Sequence, residues 1–166
     1  MVFMVLMSSL ENAQAANSQP SVVVQQVDGK PVIDGFLNEE EWIRAKKIRN
    51  FGQVEPREGK EASERTEVSL MRTDEALYLG VRCFDRTPAK VLARDRRRDS
   101  TGSGDDRLRI VIDPFARGTE GYFFGIAAGG SRGDGVVRSG NRPEMEWDCI
   151  WAVSYTHLTL PTIYSV

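Results

Sequence analysis

The chain has 166 residues, with 22 Lys and Arg against 24 Asp and Glu and a formal net charge of -2. That length holds one domain with a core of useful size. The charge balance gives no reason to expect a nucleic acid or another polyanion as partner.

In chain order, the first predicted feature is a targeting segment. Val2 to Leu10 is apolar but too short to cross a bilayer as a helix. Ala13-Gln14-Ala15 supplies the small-x-small pattern of a signal-peptidase site. Residues 1–15 are therefore expected to be a signal peptide lacking its usual basic start, and the protein to be exported to the periplasm, outer membrane or surface of a bacterium. Export permits a disulfide between Cys83 and Cys149, the only two cysteines. The simpler reading is two small buried apolar side chains.

Val22-Val23-Val24 with Val27 predict a strand, ended by the turn Asp28-Gly29-Lys30-Pro31. Asn38 is the expected N-cap of a short helix, with Glu39, Glu40 and Glu41 in its first turn, where the helix dipole favours acids. Trp42 and Ala45 would face inward from it, and Lys46 and Lys47 suit its C-terminal end. A polar stretch, Glu55 to Glu64, follows. Val68 and Leu70 then alternate with Ser69 and Met71. After the turn Asp74-Glu75, the run Leu77, Leu79, Val81 and Cys83 alternates with Tyr78, Gly80 and Arg82. This pattern predicts a hairpin whose apolar face carries Val68, Leu70, Leu79 and Val81.

Pro88 to Ala93 has the composition of one helical turn. The basic cluster Arg94 to Arg98 is interrupted by Asp95 and followed by Asp99, and reads as a solvated loop. Leu108, Ile110 and Ile112 alternate in another strand. Tyr122 to Ala127 and Val136-Val137 supply two more, joined by the glycine-rich Gly129 to Gly135. Short strands with turn signals between them and one or two brief helices define an all-β chain, expected to form an antiparallel β-sandwich.

Val153 to Leu158, followed by Thr-Leu-Pro-Thr, resembles the translation of a transposon-end adapter used in preparing sequencing libraries. Residues 153–166 are accordingly expected to be a foreign tail. Residues 16–152 would then be a sandwich truncated at its C-terminus, with His157, the sole histidine, outside the natural sequence.

Discounting His157 leaves no histidine for a triad or a zinc centre. Gly102-Ser103-Gly104 leads into Asp105-Asp106 and a strand, so it is no phosphate cradle. Glu144, Glu146 and Asp148 are acids in a loop whose separation nothing fixes. Arg132-Gly133-Asp134 spells an adhesion tripeptide, which in a glycine-rich turn is coincidence. No catalytic residue is assigned. Asp99, Asp105, Asp106 and Asp113 offer loop oxygens of the kind Ca²⁺ gathers. Asp105, Asp106 and Asp113 are the candidate metal ligands, with turn-capping as the alternative role.

Sugar rings present apolar C–H faces to aromatic surfaces and hydroxyls to charged groups. Trp147 and Trp151 are four apart, so in a strand they share a face roughly 13 Å apart. They would be either a stacking platform or part of the core. Arg82 lies on the hairpin face opposite Leu79 and Val81, directed into a groove or into solvent.

Ile33-Asp34-Gly35 with Leu37, Glu39, Trp42 and Ala45 resembles the opening signature of family 9 carbohydrate-binding modules. Ala76 to Val81 with Asp85, Asp105-Asp106, Ile112-Asp113-Pro114-Phe115, Tyr122 to Ile126 leading to Gly130, Asp134 and Gly135, and Trp147-Asp148 continue the resemblance to about Trp151. Glu55-Pro56-Arg57-Glu58-Gly59 with Ala62 to Glu67 is similar to a subgroup that precedes a large outer-membrane β-barrel. Ala127 stands where relatives often carry an asparagine, and the final strands of the family are absent. The resemblance implies non-catalytic glycan binding by Trp147, Trp151, Arg82 and Glu55. It also implies a covalently linked C-terminal domain, a barrel or a glycoside hydrolase. The alternatives are a structural domain of an outer-membrane protein without a sugar ligand and a fragment of a glycoside hydrolase.

Overall fold

A computed structural model describes the backbone of residues 2–4, and residues 22–94, 96–99, 104–138 and 143–156. Most of the expected signal peptide, His157 and the rest of the tail lie outside the described residues. The chain is all-β, with two mainly antiparallel sheets and one short α-helix among the described residues. It divides into two compact units: Gln14–Pro88 with Ala152–Val166, and Met1–Ala13 with Ala89–Trp151.

The sheet of the second unit in sequence, 89–151, has the order β1 (Val2–Met4), β6 (Arg107–Ile112), β7 (Glu120–Ala127), β8 (Arg132–Arg138) and β9 (Pro143–Glu144). The first pairing is parallel and the other three are antiparallel. The register sets Ile110 beside Phe124 and Phe124 beside Asp134, so one face carries Leu108, Ile110, Ile112, Tyr122, Phe124, Ile126 and Asp134. Pro143, which has no N–H to give a ladder, stands on the edge strand where that lack is harmless.

The sheet of the other unit is built on β4 (Thr66–Arg72). One edge of β4 is filled along its whole length by β5 (Leu77–Cys83). Its other edge is shared by two short pieces, β2 (Gln25–Gln26), parallel at Met71 and Arg72, and β3 (Lys47–Ile48), antiparallel at Val68 and Ser69. The β4–β5 turn is closed by Thr73, whose N–H donates to the Ala76 carbonyl at 2.9 Å while its hydroxyl accepts from the Glu75 and Ala76 amides.

The first predicted strand contracts to Gln25–Gln26, with Val23 exposed and Val27 turned into the core. Helix α1 (Glu40–Arg44) begins one residue later than expected. Glu39 rather than Asn38 is the N-cap, and it makes no side-chain cap. The inward pair is as expected, Trp42 and Ala45 each being 3% exposed. Lys47 closes the C-terminal end by donating to the carbonyls of Trp42 and Ala45 at 3.1 and 3.4 Å.

The hairpin forms in the anticipated register, but the face that anchors this core is the other one. Met71, 0% exposed, packs with Trp42, Ala45 and Val27, and Leu37 and Tyr78 flank them. Met71, Ser69, Tyr78 and Gly80 alternate away from Val68, Leu70, Leu79 and Val81, which are half-buried. The reason is steric. A Cβ on Gly80 would lie 2.7 Å from Cζ3 of Trp42, so the indole can lie on the sheet only where that side chain is missing. Pro88 to Ala93 yields a single 3₁₀ turn, Pro88–Lys90. Cys83 and Cys149 are both free, and Cys83, at the end of β5, is exposed rather than buried.

Candidate functional site

The four residues expected to contact sugar fall into different units. Arg82 and Glu55 belong to one, Trp147 and Trp151 to the other. Glu55 is exposed in the loop Gln53 to Lys60, which is closed by Gln53 N–H donating to the Lys60 carbonyl at 2.7 Å. It makes no hydrogen bond or ion pair among the described residues.

Arg82 lines an open groove of ≈ 210 Å³, whose wall includes Leu37, Ile43, Lys47, Glu67 and Ser69. The hairpin register explains the grouping: Glu67 sits opposite Arg82, and Ser69 opposite Gly80, all on the face that α1 covers. Directly opposed charges would ordinarily pair. Here Glu67 is taken instead by Arg49, whose Nε donates to Oε1 at 2.8 Å. That hydrogen bond, followed by the nearby positive charges of Arg49, Arg65 and Lys47, holds the Glu67 carboxyl below its usual range against the opposing effect of burial. Arg82 is left exposed, with no hydrogen bond or ion pair among the described residues. Leu37 and Ile43, the latter 65% exposed, supply the apolar part of the wall.

Lys47, Glu67 and Ser69 were not singled out from the sequence. The signal was present, since the Asp74-Glu75 turn fixes which residues face each other. Reading across the hairpin, rather than along each strand, places Glu67 and Ser69 beside Arg82.

Trp147 and Trp151 both reach Phe124, though the segment carrying them is irregular and belongs to no ladder. It crosses the aromatic face of its sheet as a strap. Trp147 packs on Tyr122 at 4.8 Å between centroids, tilted by 32°, and meets Phe124 edge-on at 6.4 Å. Trp151 meets Phe124 edge-on at 5.3 Å, with the Arg132 guanidinium 5.9 Å above its ring. Between them the Cys149 N–H donates to Oδ2 of Asp134 at 2.5 Å, and Asp134 is 2% exposed. Arg98 reaches the same place: its guanidinium pairs with Asp148, lies 3.8 Å from Asp134 and 3.4 Å from Asp99. Both tryptophans are half-buried, so the strap uses part of each ring as an anchor.

The candidate metal ligands are not gathered at one point. Asp105 and Asp106 precede β6 and Asp113 follows it, which over six residues is roughly 20 Å. Each carboxylate accepts backbone amides instead. Asp106 takes Leu92 N–H at 3.0 Å and Asp105 takes Arg94 N–H at 2.9 Å. Asp113 takes Gly118 and Phe115 N–H at 2.7 and 3.0 Å, and these bonds lower its pKa. Among the described residues no group of three or more His, Cys, Asp or Glu is disposed to hold a metal ion.

Comparison with family models, with curated proteins and with solved structures gave no match.

Proposed function

We propose that this chain is a non-catalytic carbohydrate-binding module of the β-sandwich type, working as part of a larger exported cell-envelope protein. The observation that carries the reading is the groove on the β4–β5 hairpin. There an unpaired arginine stands beside a carboxylate, a hydroxyl and an ammonium group, next to the apolar surfaces of Leu37 and Ile43. Sugar recognition needs that combination: polar groups for hydroxyls and an apolar wall for the C–H face of a ring. Glu55, solvated on its loop in the same unit, is a secondary contact in this reading, and the outward parts of Trp147 and Trp151 are a separate candidate surface on the other unit.

The test is a calorimetric titration of the whole chain with a panel of soluble oligosaccharides. Arg82→Ala is expected to weaken binding of the best ligand by tenfold or more. Trp147→Ala reports on stacking, and an unchanged affinity removes that residue from the site.

One observation favours a second reading, a structural domain of an outer-membrane protein. Both tryptophans pack on the aromatic residues of their own sheet. In that case no glycan gives heat, and Trp147→Ala lowers the melting temperature.

A further inference from the structure

The groove is not electrically neutral, and its imbalance narrows the ligand. Three ionic side chains line it: Arg82, Lys47 and Glu67. The negative charge of Glu67 is already answered by Arg49, which is not part of the lining. Lys47 donates to two main-chain carbonyls, which carry no net charge, and an ammonium group has three protons to give. Its charge therefore adds to that of Arg49 beside Glu67, and the cations around the groove outnumber the one carboxylate in its lining. Arg82 has no partner among the described residues. Two cations thus face the groove while the single anion is engaged elsewhere.

We infer that the groove prefers a carboxylate-bearing sugar, a uronic acid, over its neutral counterpart, with the Arg82 guanidinium forking onto the carboxylate. This rests on the groove being the sugar site proposed above. A guanidinium offers parallel N–H groups that match the two oxygens of a carboxylate, whereas a hydroxyl uses only one. The volume, ≈ 210 Å³, lies below the roughly 300–1,000 Å³ of sites for drug-sized ligands, in keeping with a single ring. Ser69 and Leu37 remain for the hydroxyl and C–H surfaces of that ring.

Calorimetric titration of the whole chain with glucuronate and galacturonate, against glucose and galactose, tests the inference at low salt. The uronates are expected to bind about tenfold more tightly, with the gap shrinking as salt screens the partly exposed pair. Arg82→Gln should close most of the gap and Arg82→Lys part of it. Arg117→Gln, which removes an arginine from the other unit, should leave it unchanged. Arg82 is exposed, so its variants are expected to keep the parent melting temperature. Equal affinity for acidic and neutral sugars overturns the preference and leaves the sugar site standing. Acetate competing as well as glucuronate makes the site a general anion contact and overturns the preference for a sugar acid. No binding of any of the four sugars removes the groove reading itself.

Discussion

At Gly80 a hydrogen atom is all the space allows, since the indole of Trp42 occupies the position of a side chain. Trp42 is itself held by Met71, Ala45 and Val27, so it cannot withdraw without opening the core. Gly80→Ala is therefore expected to cost about 1–3 kcal/mol as an overpacked contact, read as a lower denaturant midpoint. Asp134 presents the opposite case, a polar group whose removal leaves a gap. Its buried carboxylate accepts the Cys149 N–H, and Asp134→Ala strands that donor at an expected cost of about 1–3 kcal/mol. Asp134→Asn keeps a carbonyl acceptor and should lose less. The sequence marked Trp42 as core but gave Asp134 only as part of a tripeptide and of the family resemblance, with no sign of its burial. A buried acid is recognisable only through the strap that crosses it, 15 residues further along.

The hairpin β4–β5 shows how far alternation carries at the level of elements. Its strands, turn and pairing were legible, because apolar and polar residues alternate on both sides of Asp74-Glu75. Which face anchors the core was not, because that is decided by α1. A glycine and a serine make room there, and a pattern search rewards bulk instead. The site residues divide in the same way: Arg82 was legible as the odd charge on a strand, while Glu67 and Lys47 required the cross-strand register and the helix end. Glu67 also gives the hairpin a pH response. Its carboxyl is depressed in the folded state, chiefly by the hydrogen bond from Arg49. The ionised form therefore stabilises the fold fully above the ordinary value of 4.5 and progressively less as pH falls through the folded value. Melting curves of the parent and of Glu67→Gln should differ most above the ordinary value of 4.5 and draw together as pH falls below it.

On the scale of the whole molecule, the all-β class followed from short strands bounded by turns, and the two sheets carry that expectation. The division into two compact units was not read from the sequence. Each half of the sequence has its own apolar alternation, and nothing in a linear pattern says where one contact cluster stops. The expected foreign tail begins by running close to the fold. The backbone of Tyr155 and Thr156 passes within 2.8–2.9 Å of where a Cβ on Gly35 would sit, so Gly35 (φ +90°) has two reasons to be glycine.

The units also differ in the force that holds their covering segment. Helix α1 is held by the apolar contacts of Trp42 and Ala45. The strap depends in addition on Arg98, an exposed arginine joined to Asp148, Asp99 and Asp134. Exposed ion pairs weaken as mobile ions screen them, and apolar contacts do not. Hydrogen exchange at the Cys149 amide should accelerate between about 0.05 and 1 M NaCl, while the Ala45 amide, bonded to Glu41 within the helix, keeps its rate. Salinity thus acts on the tryptophan-bearing segment: brine loosens the strap by screening Arg98 from its three carboxylates, while the helix packed through Trp42 keeps its place.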